Sequence, residues 1–177
     1  MIADNEFLKN GLKGLVRNNK AGEYYLTDLV EYASKRKLPI GSTEAKELEV
    51  FGANNKKELE GLYNAMVALN IDAAKKKGTF FKDTSTCYVE GVLKVGKDVS
   101  IGNNVTIKGN VVLGNDVSIG SNVILSNTKI GSNSTIKEFC SIEDSKISEN
   151  VEVGPFARLR NGAVLDSSAK IGNFVEV

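Results

Sequence analysis

The most regular feature of the sequence is a hydrophobic position that recurs every six residues through its second half. An isoleucine, leucine or valine occupies every position of this series: Val95, Ile101, Ile107, Leu113, Ile119, Leu125, Ile130, Ile136, Ile142, Ile147, Val153, Leu159, Leu165, Ile171 and Val177. A small or β-branched residue usually stands four places later, and glycine, asparagine and aspartate are frequent in between. An amphipathic helix needs apolar residues every three or four positions. The pattern instead predicts a parallel β-helix, in which each hexad forms one side of a triangular prism.

Two interruptions of the period support this interpretation. The steps from Leu125 to Ile130 and from Ile142 to Ile147 are five residues instead of six, and the second short step comes three steps after the first. Because about three hexads make one coil, both missing residues fall at the same corner of the prism, in successive coils. Coils of ordinary strand spacing stack about 4.8 Å apart. Residues 95–177 would then make about four to five coils.

The first half of the chain has a helical pattern. Apolar spacing predicts helices over residues 5–16 and 24–36, and a short strand over 48–51. A longer helix is predicted over 55–77, where the apolar stripe comprises Leu59, Leu62, Tyr63, Met66, Leu69 and Ala73. The lysines at its end suit a helix C-terminus, and Gly78 can stop the helix.

Charge and composition exclude several classes of function. The chain has 23 basic and 22 acidic residues, so its net charge of +1 provides no field that would attract nucleic acid or an anionic membrane. It contains no histidine, which excludes a histidine base, a Ser-His-Asp system and histidine metal sites. Cys87 and Cys140 match no zinc or disulfide framework. Cys140 falls at an inward small position and is expected to be a buried apolar side chain. With no signal peptide or apolar span, a cytoplasmic location is expected.

Four segments, taken in order, resemble one known family. They are Gly22-Glu23-Tyr24-Tyr25-Leu26-Thr27-Asp28, Phe51-Gly52-Ala53-Asn54-Asn55, Gly154-Pro155-Phe156-Ala157-Arg158-Leu159-Arg160 and Gly172-Asn173-Phe174-Val175-Glu176. Together they resemble the bacterial bifunctional N-acetylglucosamine-1-phosphate uridylyltransferase / glucosamine-1-phosphate N-acetyltransferase. Those enzymes make UDP-N-acetylglucosamine for cell-wall (peptidoglycan) and lipopolysaccharide synthesis, with acetyl-CoA and UTP as substrates and Mg²⁺ as cofactor.

The resemblance implies an α+β organisation in three parts. Residues 1–54 would be the C-terminal piece of an α/β nucleotidyltransferase-like domain, and 55–86 a linker helix and connector. Residues 87–177 would be a left-handed parallel β-helix of the acetyltransferase type. In the family this β-helix assembles as a homotrimer.

Two positions match binding residues of the family. Asn54 matches an asparagine that helps bind Mg²⁺ and the UDP-sugar together with an upstream aspartate. Since Mg²⁺ prefers several oxygen ligands, including carboxylates, one amide is not expected to retain it. A cap or turn before the long helix is the alternative role for Asn54.

Arg160 matches an arginine that binds the phosphate of glucosamine 1-phosphate. Because Leu159 points inward, Arg158 and Arg160 point outward on the same strand face, and two guanidinium groups there suit a phosphate. An ordinary charged exterior is the alternative.

The chain also departs from the family. It has neither the glycine-rich nucleotide loop nor the catalytic histidine. We therefore expect a fragment or shortened relative that alone catalyses neither reaction, holds no cofactor tightly and binds a sugar phosphate or UDP-sugar weakly if at all. Its last coil is expected to pack against another copy or to fray. The alternative is a non-catalytic β-helix scaffold for trimerisation or binding. An unrelated hexapeptide acyltransferase is disfavoured, because such enzymes also depend on a histidine.

Overall fold

The chain divides into two compact units. The computed structural model describes residues 2–17, 20, 22–45 and 47–177. The first unit comprises Met1–Phe51 and the second Gly52–Val177. Each is described by itself below.

Helices make up the regular structure described in the first unit. They are α1 (Asn5–Lys13), α2 (Asp28–Lys35) and the short α3 (Glu47–Val50). Helix α1 begins where the Asp4 carboxylate accepts hydrogen bonds from the backbone N–H groups of Glu6 and Phe7. Leu29 and Ala33 of α2 are buried, and the ring of Phe7 meets that of Tyr32 edge-on.

Three predictions for this unit need correction. Helix α1 ends before Gly14, which is its C-cap, because glycine loses more backbone freedom in a helix than other residues do. Helix α2 begins only at Asp28, whose acidic side chain suits a first turn. The strand predicted over 48–51 is wrong. The segment Glu47–Val50 forms one helical turn, and no β-strand is described in this unit, so a strand here would have no described partner.

The second unit begins with the long helix α4 (Lys56–Lys75). Fourteen strands follow, together with a 3₁₀ turn at Thr84–Thr86: β1 (Phe80–Phe81), β2 (Tyr88–Val95), β3 (Ser100–Ile101), β4 (Thr106–Leu113), β5 (Ser118–Ile119), β6 (Ile124–Ser126), β7 (Lys129–Ile130), β8 (Thr135–Ile136), β9 (Ser141–Glu143), β10 (Lys146–Ile147), β11 (Glu152–Val153), β12 (Arg158–Leu159), β13 (Val164–Leu165) and β14 (Lys170–Ile171).

These strands stack in parallel on three faces, which confirms the predicted β-helix and is consistent with its left-handed form. The first face has the order β1-β3-β5-β8-β11-β14. The second face consists of the first halves of β2 and β4 followed by β6, β9 and β12. The third consists of the second halves of β2 and β4 followed by β7, β10 and β13. The stack amounts to about five coils.

The inward series forms the core as predicted from Ile101 to Leu165, where each of its members is buried. Val95 and Ile171 pack half-buried against this core, and Val177 is exposed. The stack also begins earlier than the hexad period indicated. Phe81 pairs with Ile101 in the first coil, but the 3₁₀ turn lengthens that coil and hides the period there.

Both shortened steps occur at the corner between the second and third faces, in successive coils, as predicted. At the other corners the inward small residue stands four places after the inward aliphatic residue. At these two corners Thr128 and Ser145 fill that position only three places after it, and both are buried. The Thr128 hydroxyl donates to the carbonyl oxygen of Ser126 at 2.8 Å, and the Ser145 hydroxyl donates to that of Glu143 at 2.6 Å. These bonds close the tighter corners.

Helix α4 packs against β2. Asn55 is its N-cap and Gly78 follows its end, in agreement with the predicted boundaries. The hydroxyl of Tyr63 donates to Glu90 Oε1 at 2.5 Å, and this bond raises the pKa of Tyr63 to about 12. The Asn70 amide donates to the carbonyl oxygen of Val89 at 2.9 Å. No helix in the described part of the chain combines the length and apolar character needed to cross a bilayer.

Candidate functional site

The arginine pair lies on the outer surface of the second face. Leu159 is buried in the prism, and strand alternation therefore turns Arg158 and Arg160 outward, as predicted. Each arginine side chain is 62% exposed. Strand β12 is held in place by the pairing of Arg158 with Ser141 and of Leu159 with Ile142.

The next coil brings a carboxylate to both arginines. Arg158 pairs with Glu176 in an isolated parallel bridge, and the Arg160 N–H donates to the carbonyl oxygen of Val177 at 2.8 Å. This register places Glu176 Oε1 2.5 Å from Arg160 Nε and 3.6 Å from Arg158 Nη1. Glu176 belongs to one of the segments that carry the family resemblance, but its pairing depends on coil stacking.

Electrostatics at the site follow from this contact. The hydrogen bond from Arg160 holds the pKa of the Glu176 carboxyl below its ordinary value, and the charges of both arginines act in the same direction. In return, the hydrogen bond to Glu176 raises the pKa of Arg160. The Arg160 guanidinium therefore stays charged at any physiological pH.

The arginine pair keeps most of its donors for a ligand. Arg160 uses its Nε–H on Glu176, and among the described residues no hydrogen bond is made by the Nη groups of Arg160 or Arg158. A guanidinium offers five N–H donors in a planar fork that matches phosphate oxygens. The Glu176 carboxylate shows that a single anionic group can lie near both arginine side chains.

A stack of three phenylalanines lies at the corner that precedes this face, and the sequence reasoning missed it. The rings of Phe139 and Phe156 are 4.8 Å apart, and those of Phe156 and Phe174 are 4.9 Å apart, with nearly parallel planes. All three residues have positive φ, a conformation that asparagine adopts in the same column at Asn104 and Asn122. Bulky residues rarely accept this conformation. Each ring remains substantially exposed. The spacing of one coil between these phenylalanines is the signal that could have revealed the stack.

Asn54 lies at the start of α4, away from any cluster of acidic groups in the described structure. Its backbone N–H donates to Glu58 Oε2 at 2.8 Å, and its side-chain amide donates to the same oxygen at 3.3 Å. The side chain of the neighbouring Asn55 accepts from the Glu58 backbone N–H and donates its amide N–H to Glu58 Oε1, a reciprocal pair of hydrogen bonds related to the capping box. The hydrogen bond from the Asn54 backbone lowers the pKa of Glu58. This geometry matches the alternative role of Asn54, a cap or turn before the long helix.

The described residues do not fit Mg²⁺ at Asn54. Both oxygens of Glu58, the nearby carboxylate, accept hydrogen bonds from the two asparagines. No group of three or more histidine, cysteine, aspartate or glutamate side chains that could hold a metal occurs among the residues that the structure describes. Mg²⁺ needs near-octahedral oxygen coordination, which one asparagine and one engaged carboxylate do not supply.

Neither cysteine adds chemistry to the site. Cys140 is buried at an inward position as predicted, and Cys87 is buried near the start of the stack. Burial raises the pKa of each thiol, so both stay protonated near neutral pH.

Comparison with known proteins identifies a family that shares this part of the chain. The family model described as the GMPPB C-terminal domain matches residues 85–177. The chain belongs to the GMPPB C-terminal domain family. This GMPPB C-terminal domain segment includes the coils from β2 onward, with the arginine pair and the phenylalanine stack.

Curated relatives extend the similarity across the whole chain. The bifunctional protein GlmU of Idiomarina loihiensis and that of Nitrosomonas europaea are each 39% identical over the full chain. The bifunctional protein GlmU of Acinetobacter baylyi is 40% identical over 98% of it. The chain spans 39% of the length of the first two relatives and 38% of the third. These matches confirm the resemblance to bifunctional enzymes, and they include the part that precedes the GMPPB C-terminal domain segment.

Proposed function

We propose that this chain is a fragment or shortened relative of the bifunctional enzyme that makes UDP-N-acetylglucosamine, and that its β-helix carries a phosphate subsite for glucosamine 1-phosphate at Arg158 and Arg160. The observation that carries the proposal is the arginine pair, which two outward positions of one strand present around a single carboxylate. The similarity to bifunctional protein GlmU over the whole chain supports it. The proposed setting is cytoplasmic precursor synthesis for the cell wall and lipopolysaccharide.

Titration with glucosamine 1-phosphate and with inorganic phosphate tests the subsite. Calorimetry or NMR at low ionic strength is expected to detect weak saturable binding. Arg160→Ala is expected to weaken it about tenfold or more, since a charge-assisted hydrogen bond contributes about 1.5–3 kcal/mol. Lys129→Ala is the control, because Lys129 is an exposed cation on the third face. Equal affinity of the Arg160→Ala chain and the unaltered chain would contradict the subsite.

The chain by itself is proposed to catalyse neither half of the bifunctional reaction. Acetyl transfer in the family uses a histidine base, and this sequence contains no histidine. Uridylyl transfer needs a glycine-rich loop, which is also missing from it. Mg²⁺ and acetyl-CoA serve the complete enzymes of the family. We propose that neither binds tightly to this chain alone. Turnover above background in either assay would refute this part.

A homotrimer through the β-helix is proposed as the assembly state, without a nucleic-acid or membrane partner. The exposed phenylalanine stack supports a protein interface, since large apolar side chains grouped on a surface commonly mark one. If the titrations detect no ligand, the non-catalytic trimerisation scaffold becomes the better function, and this stack is the observation that favours it.

Sedimentation velocity tests the assembly. Phe156→Asn fits the left-handed backbone that asparagine already adopts at Asn122 in the same column. The substitution is therefore expected to preserve the fold while it shifts a trimer toward monomer. Val164→Asn on the third face is the matched exposed control. A chain that sediments as a monomer without any substitution would contradict the homotrimer.

A further inference from the structure

The turn that follows the arginine pair contains an asparagine followed by glycine. The sequence has two such pairs, Asn161-Gly162 and Asn10-Gly11. Glycine has no side chain to shield its backbone nitrogen, so this nitrogen can approach the side-chain carbonyl carbon of a preceding asparagine more easily than in any other pair. Asparagine is also among the thermolabile residues of proteins.

We propose that Asn161 is a site of spontaneous deamidation, and that the carboxylate it produces weakens anion binding at the neighbouring Arg160. The backbone nitrogen of Gly162 attacks Cγ of Asn161, and a new C–N bond closes a succinimide ring. The bond from Cγ to Nδ2 breaks, and ammonia leaves with the proton of the Gly162 amide. Water then opens the ring to aspartate or isoaspartate, so water is the sole co-reactant.

The surroundings of Asn161 favour this step. Asn161 and Gly162 are both exposed, and a Cβ atom built on Gly162 would meet nothing within 4 Å. Gly162 has φ +90°, and the N–H of Ala163 donates to the carbonyl oxygen of Arg160 at 3.1 Å across the turn. The Asn161 side chain makes no hydrogen bond to any other residue that the structure describes. The Asn161 side-chain amide is therefore unrestrained by other side chains and accessible to water.

One contact opposes the reaction and must open first. The Gly162 N–H donates to the carbonyl oxygen of Asp144 at 3.0 Å, which occupies the attacking nitrogen. This bond joins two exposed turns, and such bonds open locally at lower free energy than those of packed elements. The attack also requires loss of the amide proton, so the reaction should accelerate as pH rises.

The second Asn-Gly pair is an internal reference. Asn10 and Gly11 lie within α1, where the backbone N–H groups are held in the helical ladder. Gly11 is buried, and a Cβ atom there would overlap the side chain of Leu29. The same dipeptide is thus restrained by a helix in one place and by a single turn contact in the other.

The consequence at the arginine pair follows from charge. Deamidation adds a negative charge on the residue next to Arg160, whose guanidinium already contacts Glu176. At an exposed site the added repulsion of an anion is modest and is screened by salt. This consequence rests on the proposed phosphate subsite, whereas the modification does not.

Peptide mapping of the whole chain after incubation at alkaline pH tests the modification. Cleavage after arginine and lysine separates residues 161–170 from residues 10–13. Digestion in heavy-oxygen water labels any conversion that occurs after the incubation. We expect the amide-to-acid mass change to accumulate about tenfold faster at Asn161 than at Asn10, because helix opening is rarer. Conversion at Asn161 that is no faster than conversion at Asn10 would overturn the proposal. Ammonia release from the Asn161→Gln chain that equals release from the unaltered chain would also overturn it.

Binding of inorganic phosphate tests the consequence. Asn161→Asp is expected to bind phosphate about two- to fivefold more weakly than Asn161→Gln at low ionic strength, and the difference should shrink with added salt. Equal affinities of these two chains would overturn the effect on Arg160. If the unaltered chain binds no phosphate at all, the proposed function fails, and the mass data alone decide whether Asn161 is the modification site.

Discussion

Glu176 lies beside Arg158 and Arg160 and titrates in the field of both guanidinium groups. Its side chain is 47% exposed, so solvent screens the interaction and the contribution to stability is small. The contact matters for binding, because an incoming anion must share the two guanidinium groups with this carboxylate.

The first residue-scale prediction concerns the pKa of Glu176. Its carboxyl is expected to titrate below the ordinary glutamate range, since Arg160 donates to the ionised form. The folded-state pKa is depressed, so the ion pair is complete above the unfolded pKa and is lost as the pH falls through the folded value. NMR titration of the side-chain carboxyl carbon measures this.

Arg160→Ala should return the Glu176 midpoint toward the ordinary range. Glu152 is the control, because its pKa is lowered by Lys137 instead and should not respond to this substitution. An unchanged Glu176 midpoint in the Arg160→Ala chain would mean that the observed contact is not populated in solution.

Two glycines are expected to respond in opposite directions to alanine. Gly109 has φ +61°, and a Cβ atom there would overlap the side chain of Asn127. Gly109→Ala should therefore lower the free energy of unfolding by about 1–3 kcal/mol. Gly61 lies within α4 with open space around it, so Gly61→Ala should raise that free energy by about 0.5–1 kcal/mol. Denaturant unfolding compares both with the unaltered chain, and the same sign for both would contradict this account.

At the scale of elements, the shortened corners depend on buried hydroxyl groups. Thr128→Val keeps the shape of the side chain but removes the bond to the Ser126 carbonyl, and should destabilise the chain by about 1–2 kcal/mol. Thr135→Val, on the outer side of the first face, is the control and should change stability by less than about 0.5 kcal/mol. Equal effects in denaturant unfolding would show that the hydroxyl does not close the corner.

Element boundaries were predictable where one local preference dominates. Asn55 and Gly78 bound α4 as the sequence indicated, because a cap and a glycine act on their own helix. The segment Glu47–Val50 was predicted wrongly because a strand depends on a partner, and a four-residue pattern does not specify one. The strand that opens the first coil, Phe80–Phe81, was missed because the 3₁₀ turn at Thr84–Thr86 breaks the period.

At the scale of the whole molecule, burial differs between the two units. In the described part of the first unit the buried residues are Gly11, Leu29 and Ala33, whereas a continuous buried cluster runs through the coils of the second. Amide exchange is therefore expected to be slow from β3 to β13 and much faster in α1 and α2, since few buried contacts mean low opening free energies. Equal protection in a mass-spectrometric exchange experiment would contradict this.

The sequence by itself determined the β-helix, the corner that carries both deletions and the outward direction of Arg158 and Arg160. Each of these follows from a period, and a period is a local property that every coil repeats. The tertiary structure decided which side chains meet across coils. Glu176 reaches Arg160 from the next coil, and Phe139, Phe156 and Phe174 stack although about one coil of sequence separates each from the next. Such contacts depend on the stacking register, because residues a coil apart become neighbours only once the prism has formed.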